Sequence, residues 1–475
     1  MKLKTILANM AILWACTAPA QDFSTHLASP GGIKPPRIGY GNQSVIPVQK
    51  STRYDLLTGI RETTYETSEP SSLKIRVVSQ LTFNGRYPQL RHEVELSSSK
   101  KLTEDLTIHF PVGSLENLKA ATIPRKNGLI GHLSELTGSK IASYRCAGRP
   151  EKYPNDLALP LVLVGEGQEK TAVMTDPFFT SLFDTGEIRW TYPKEVGLED
   201  AVERRTIIEM AGITNMDEGM NGYYQTILRD VPPGPEWMKE IAMISYDYMS
   251  DMGRGWYNDI DTLATLIAPA DRHKVALCLH GWYDVVGRYC FNEKTGKLDP
   301  TWTNRIRGID LSLENLHHRI RYAKDRGFTV LMYFADGLLS SKGLPGFDPE
   351  NVFREGGWNG PDVVGGPYSQ NLAQPAVGDF YRNYARALFT EFAGEVSGFV
   401  WDETFYIQTG TLGVPKHPGY LDRAHMRLIR EVAAILHSIA PDRAFFASDC
   451  IGEKSGTGDV PPYALMADGC YQDSW

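Results

Sequence analysis

From about Gln21 to Asp230 the apolar residues come in short alternating runs. Ser72–Thr82, Leu90–Ser97, Thr107–Pro111, Leu161–Gly165 and Thr171–Thr175 are rich in Val, Ile, Leu and Thr, and Gly, Asn and Pro punctuate them. No long helical period is visible there. Many short strands at this spacing predict a β-sandwich or supersandwich.

The segment Val231-Pro232-Pro233-Gly234-Pro235 places three prolines in five residues. Such a run neither continues a helix nor pairs inside a sheet, so a linker is expected at 231–237. Beyond it the rhythm becomes strand then helix. Strands are expected at Ile241–Tyr246, Val275–Trp282, Thr329–Ala335, Gly398–Trp401, Ala444–Ser448 and Tyr463–Ala467. Amphipathic helices fall between several of them, at Leu313–Arg326, Phe380–Phe392 and Leu421–Ile439, with apolar residues three or four apart.

That alternation implies a parallel sheet. Acids follow each strand (Asp247, Asp284, Asp336, Asp402-Glu403, Asp449 and Asp468), the polar rim that barrel enzymes carry on the C-terminal face of their strands. The expectation is a multidomain β plus α/β chain, a sandwich over 21–230 followed by a (β/α)8-type barrel over 238–475. Only six strands are read before Trp475, so the barrel is expected to be truncated.

Composition changes this picture little. At 475 residues, 42% hydrophobic and 22% charged, the chain is ordinary globular material long enough for two or more domains. Its net charge of −8, without a Lys/Arg-rich run, excludes nucleic acid as a main partner. No apolar run is long enough to span a bilayer.

The first twenty residues read as a signal peptide. Lys2 and Lys4 precede an apolar stretch from Ile6 to Ala15, and Ala18-Pro19-Ala20 is a small-residue cleavage site. A periplasmic or extracellular protein is expected, with lipoprotein anchoring at Cys16 (Leu13-Trp14-Ala15-Cys16) as the other reading. Beyond Cys16, Cys146, Cys278, Cys290, Cys450 and Cys470 form no dense disulfide framework and no zinc spacing. Cys450 and Cys470 lie just past strand-end acids, as a rim disulfide or as two thiols.

The sharpest chemistry lies in Gly398-Phe399-Val400-Trp401-Asp402-Glu403. Side chains alternate across a strand. If Phe399 and Trp401 pack outward on helices, Asp402 faces the barrel axis and Glu403 is a helper on the rim.

An exported sandwich followed by a barrel, with an aromatic-Asp ending strand four and an Asp at strand six, resembles the retaining α-galactosidase/α-glucosidase superfamily of glycoside hydrolases. It also resembles exported bacterial proteins of that architecture. The resemblance covers domain order and six short strand ends. It implies that Asp402 is the nucleophile and Asp468 the acid/base, with Asp473 the rival for the second role. Two carboxylates suit that chemistry, because one must protonate the leaving oxygen while the other attacks the anomeric carbon or activates water.

Sugar-holding groups are expected nearby. Cys278, His280, Trp282 and Asp284 share a face if Val275–Asp284 alternates throughout, with Trp282 as a stacking platform and Asp284 as a hydroxyl acceptor. Asp247, Asp336, Trp401 and Asp449 complete the candidate set, each against a structural reading as cap or core. Long insertions at Val285–Asp310 and Gly337–Asp379 would shape the pocket. No cofactor or metal is implied; the expected partner is a carbohydrate substrate, and oligomeric state is open. Two competing classes are a non-catalytic carbohydrate-binding protein on a truncated barrel and a metal-assisted barrel hydrolase or isomerase. The second is weakened by the presence of only His280 on the expected strands.

Overall fold

The structure, a computed structural model, describes residues 34–471 apart from 56–57, 68–72, 99–101, 125–142, 146–149, 154–156, 158, 178–180, 193–202, 230–233, 249–253, 305–307, 342–351, 356–366, 371, 373–374, 403–417 and 449–466. The chain divides into two compact units, Met1–Pro232 and Pro233–Trp475.

The first unit holds two antiparallel sheets. One has six strands, in the order Glu151–Tyr153, Ser181–Asp184, Glu187–Tyr192, Leu106–Pro111, Arg37–Tyr40 and Gln43–Val45. The other has nine and is built on the long hairpin Leu73–Asn84/Tyr87–Ser98, flanked by Ile60–Glu66 and Glu203–Ile213. Alternation explains the layering. In Leu106–Pro111 every second residue is buried, and Ile108 and Phe110 meet Ile75, Val77, Val94 and Leu96 of the facing sheet in one core. A polar chain is enclosed there. The Ser79 hydroxyl hydrogen-bonds His92 Nδ1 at 2.7 Å, His92 Nε2 lies 3.3 Å from Glu209, and Ser114 donates to the other Glu209 oxygen.

Helix α1 (Met216–Thr226) has no counterpart among the sequence expectations. Asn215 caps it by accepting the Glu218 N–H. Its Gly219 and Gly222 approach Leu163 and Met210 so closely that it covers the second face of the nine-stranded sheet. This is why Ile207–Ala211 is buried without a break instead of alternating.

The second unit centres on six parallel strands in sequential order: Met243–Tyr248, Val275–His280, Thr329–Asp336, Gly398–Asp402, Ala444–Ser448 and Gly469–Tyr471. Helices α2 (Arg254–Leu266), α3 (Leu313–Lys324), α4 (Pro375–Phe392) and α5 (Pro418–Ile439) connect them. Among the described residues the first and sixth strands pair only with their inner neighbours. Glycine is required at Gly398, because a Cβ there would stand 2.4 Å from the Ala444 carbonyl oxygen and force strands four and five apart. Phe399 and Trp401 pack outward on α4, with ring centroids 4.5 Å from Phe389 and 5.4 Å from Tyr381. The insertion after strand two forms two small hairpins, and the one after strand three a three-stranded sheet. No helix among the described residues is long and apolar enough to cross a membrane.

Candidate active site

Asp402 is the last residue of the fourth parallel strand. Since Phe399 and Trp401 face α4, alternation turns Val400 and Asp402 to the opposite face. Two hydrogen bonds with the Gly337 backbone hold the position. Gly337 N–H donates to the Asp402 carbonyl at 2.8 Å, and the Trp401 indole N–H donates to the Gly337 carbonyl at 2.7 Å.

A second carboxylate stands level with the first. Strand three runs in register with strand four up to Tyr333↔Val400, slips by one residue between Tyr333 and Ala335, and resumes as Asp336↔Asp402. Simple alternation from Tyr333 would send Asp336 to the helix side. The bulge adds one residue and puts Asp336 on the face of Asp402.

His280 ends strand two, and its Nε2 lies 3.8 Å from Asp402 Oδ2; the two side chains are 3% and 14% exposed. Its ring meets Tyr333 edge-on at 4.0 Å and Tyr283 at 5.8 Å. Burial, and then the charge of Asp336, push the Tyr333 phenol well above the ordinary range, with Asp402 adding to the effect. The Cys278 thiol, two residues below His280, is raised by burial and by Asp402. Tyr289 accepts the Asp336 backbone N–H at 3.0 Å, and burial and Asp336 keep it neutral. To reach that place Tyr289 and Cys290 take left-handed φ values of 51° and 54°, strain that the stacking of Tyr289 on Tyr384 at 5.1 Å helps to hold. The aligned carboxylates, imidazole and phenols form a dense polar cluster at the C-terminal ends of strands two to four.

Several sequence expectations are corrected here. Trp282 is not a sugar platform. Strand two ends at His280, Gly281 turns left-handed (φ 68°), and the indole is fully buried with its N–H on the Tyr333 carbonyl at 3.2 Å. Trp401 is likewise buried against α4. Asp284 lies beyond the Gly281 turn, off the strand, where it accepts from Arg288 at 3.0 Å, so it does not share the face of His280 by alternation. Asp468 sits at the wrong end of its strand for an acid/base. The sixth strand is Gly469–Tyr471, so Asp468 precedes it, accepting from the Phe445 N–H at 2.7 Å and facing His437 at 2.8 Å. Phe445 is level with Phe399, three residues below Asp402, or about 10 Å toward the N-terminal end.

Asp247 lies within the first strand, level with Leu279. Glu403, Asp449, Asp473 and Cys450 lie outside the described residues. Tyr333, Tyr283 and Tyr289 were not singled out from sequence. The parity of strand three could have found Tyr333, whereas nothing in the sequence signals the bulge or the turn that carries Tyr289. Cys278 and Cys290 are buried thiols. Among the described residues no three His, Cys, Asp or Glu side chains are grouped to hold a metal ion.

No family model matches the sequence, and no curated protein matches it. Solved structures do. The fold is shared with glycoside hydrolases. The chain is similar to the GH36 alpha-galactosidase AgaA from Geobacillus stearothermophilus at 10% identity, covering 93% of this chain and 64% of that one, with a TM-score of 0.55. It is similar to the alpha-N-acetylgalactosaminidase NagBb from Bifidobacterium bifidum at 10% identity, covering 93% and 73%, with a TM-score of 0.54. The chain thus spans less than two thirds of the alpha-galactosidase's length.

Proposed function

We propose that this protein is an exported glycoside hydrolase that cleaves α-glycosidic bonds of oligo- or polysaccharides by a two-carboxylate, retaining mechanism. The observation that carries the reading is Asp402 at the end of the fourth parallel strand, level with Asp336 and beside His280. Its support is the fold shared with an alpha-galactosidase and an alpha-N-acetylgalactosaminidase.

In this mechanism a lone pair of one Asp402 oxygen forms the bond to the anomeric carbon. The glycosidic C–O bond breaks, its electron pair stays on the leaving oxygen, and that oxygen takes a proton from the second carboxylic acid. Water then adds to the anomeric carbon, gives a proton back to the second carboxylate, and displaces Asp402 as a carboxylate. With Asp468 at the opposite end of its strand, the second role is assigned to Asp473, two positions beyond Tyr471. Retention calls for about 5–5.5 Å between the two carboxyl groups. Asp336 and Asp449 are proposed to accept from sugar hydroxyls, with Glu403 assisting at the rim; Asp247, level with Leu279 and not with His280, falls out of the set.

The test is hydrolysis of p-nitrophenyl α-galactoside, α-N-acetylgalactosaminide and α-glucoside by the full chain and by Asp402→Ala. Release of nitrophenol by the parent, lost in a variant with the same circular dichroism, is the expected result. Calorimetric sugar binding without release by the parent would overturn the hydrolase reading in favour of a carbohydrate-binding protein. Undiminished turnover by Asp402→Ala would remove Asp402 from the mechanism.

A further inference from the structure

The geometry points to His280 as the positioning residue of Asp402, an inference that rests on the hydrolase reading for its catalytic consequence but not for the contact itself. His280 and Asp402 come from strands two and four, separated by strand three, yet their Nε2 and Oδ2 are 3.8 Å apart. That reach across a strand follows from register. His280 follows Leu279, which is level with Met332, and this places it beside Tyr333, whose partner is Val400. Asp402 stands two residues higher on the face of Val400, so its carboxylate can lean back over Tyr333 toward the imidazole.

The imidazole is fixed in place. Tyr333 packs against its plane edge-on at 4.0 Å and 70°, and Tyr283 closes another side at 5.8 Å and 73°. Tyr283 and Tyr333 are themselves in contact at 5.2 Å. All three residues are buried, so the ring has little room to rotate. Among the described residues, the other ionisable groups on this face are Asp336, whose charge reaches Tyr333, and Cys278 below on the same strand.

A carboxylate that acts as nucleophile must present one oxygen to the anomeric carbon, and free rotation of its terminal torsion would exchange the two. At 3.8 Å the pair is longer than a hydrogen bond, so the imidazole acts by electrostatic attraction: an Nε2 that carries its proton draws Oδ2 toward strand two and leaves Oδ1 to face the sugar. The contribution is orientation, the kind of effect for which a small misplacement costs about 10²-fold in rate. His280 does not touch the substrate in this role.

The kinetic test compares the parent with His280→Ala and His280→Gln on the nitrophenyl glycoside that the parent cleaves fastest. His280→Ala is expected to lower kcat about 10²-fold with KM nearly unchanged, and His280→Gln, which keeps an N–H donor, to recover much of that loss. Unchanged kcat in His280→Ala, or a loss falling on KM alone, overturns the assignment. A chain that hydrolyses none of the glycosides refutes the hydrolase reading and leaves the contact to a second measurement. The imidazole ¹⁵N resonances of His280, identified by their absence from His280→Gln, are compared between parent and Asp402→Asn. They should move when the carboxylate charge is removed, and resonances that stay in place overturn the pairing.

Discussion

Asp336 and Asp402 stand side by side on neighbouring parallel strands because strand three carries one residue more than strand four over the last turn of pleat. The bulge between Tyr333 and Ala335 converts a position that alternation assigns to the helix layer into one on the carboxylate face. Phe334 remains outward, packed on Trp401 at 5.1 Å and on Phe389 at 5.7 Å. An apolar anchor and a reactive-face acid therefore sit two residues apart, which regular strand geometry forbids.

If Asp336 holds a sugar hydroxyl, Asp336→Ala should lower kcat/KM on an aryl glycoside by about ten- to a hundredfold. That range corresponds to about 1.5–3 kcal/mol for a hydrogen bond to a charged acceptor. The loss should appear largely in KM, whereas Asp402→Ala removes kcat. Steady-state kinetics on both variants separates the roles, and equal collapse of kcat in the two would assign Asp336 to the bond-breaking step instead.

Asp468 and Asp473 give a sharper contrast. Asp468 accepts a backbone N–H at the foot of strand five and pairs with His437 of α5. Removing its charge should cost about 1–3 kcal/mol of stability and leave kcat per folded molecule unchanged. Asp473→Asn should do the reverse, abolishing turnover with an unaltered urea midpoint. Denaturation curves and kcat measured on both variants decide it, and an inactive but fully stable Asp468→Asn would restore Asp468 to the mechanism.

Trp282 is a packing residue, so Trp282→Ala should cost about 3–5 kcal/mol, as for other fully buried aromatic truncations. It also loses its bond to the Tyr333 carbonyl and its contact with Trp302. The measurement is the denaturant midpoint at constant slope. A Trp282→Ala protein with parental stability and a raised KM would return this residue to the sugar site.

The alternation of strands and helices was legible from Val275 onward, and the expected segment Ala444–Ser448 coincides with the observed strand. The reason is physical: strands buried on both faces leave continuous apolar runs, and their connecting helices leave a 3.6-residue period. The sixth strand observed is Gly469–Tyr471, a segment without the apolar look of a strand, and the expected Tyr463–Ala467 lies outside the described residues but for Ala467. Helix α1 escaped notice because two glycines in Met216–Thr226 weaken its propensity, and only the contacts those glycines permit explain it. The site was legible in part. Asp402 follows from the parity of Phe399 and Trp401. The alignment of Asp336 depends on a register slip, and the burial of Trp282 on a left-handed Gly281. Neither leaves a periodic trace.

The buried polar chain of the sandwich makes the acid response predictable. Burial alone would raise the Glu209 carboxyl, but hydrogen bonds from His92 and Ser114 outweigh it and hold the group below its usual range. A carboxyl depressed in the folded state contributes stability that is fully present above its unfolded value, near 4.3, and is lost as pH falls through the lower folded value. Stability of the parent should therefore decline from about pH 4 downward. Glu209→Gln should flatten that part of the profile and lower stability at pH 7, where the ionised group is satisfied. Urea midpoints at pH 7, 5, 4 and 3 test this. Parallel profiles for the two proteins would show that the Glu209 network carries no proton-linked stability, in spite of its burial between the sheets.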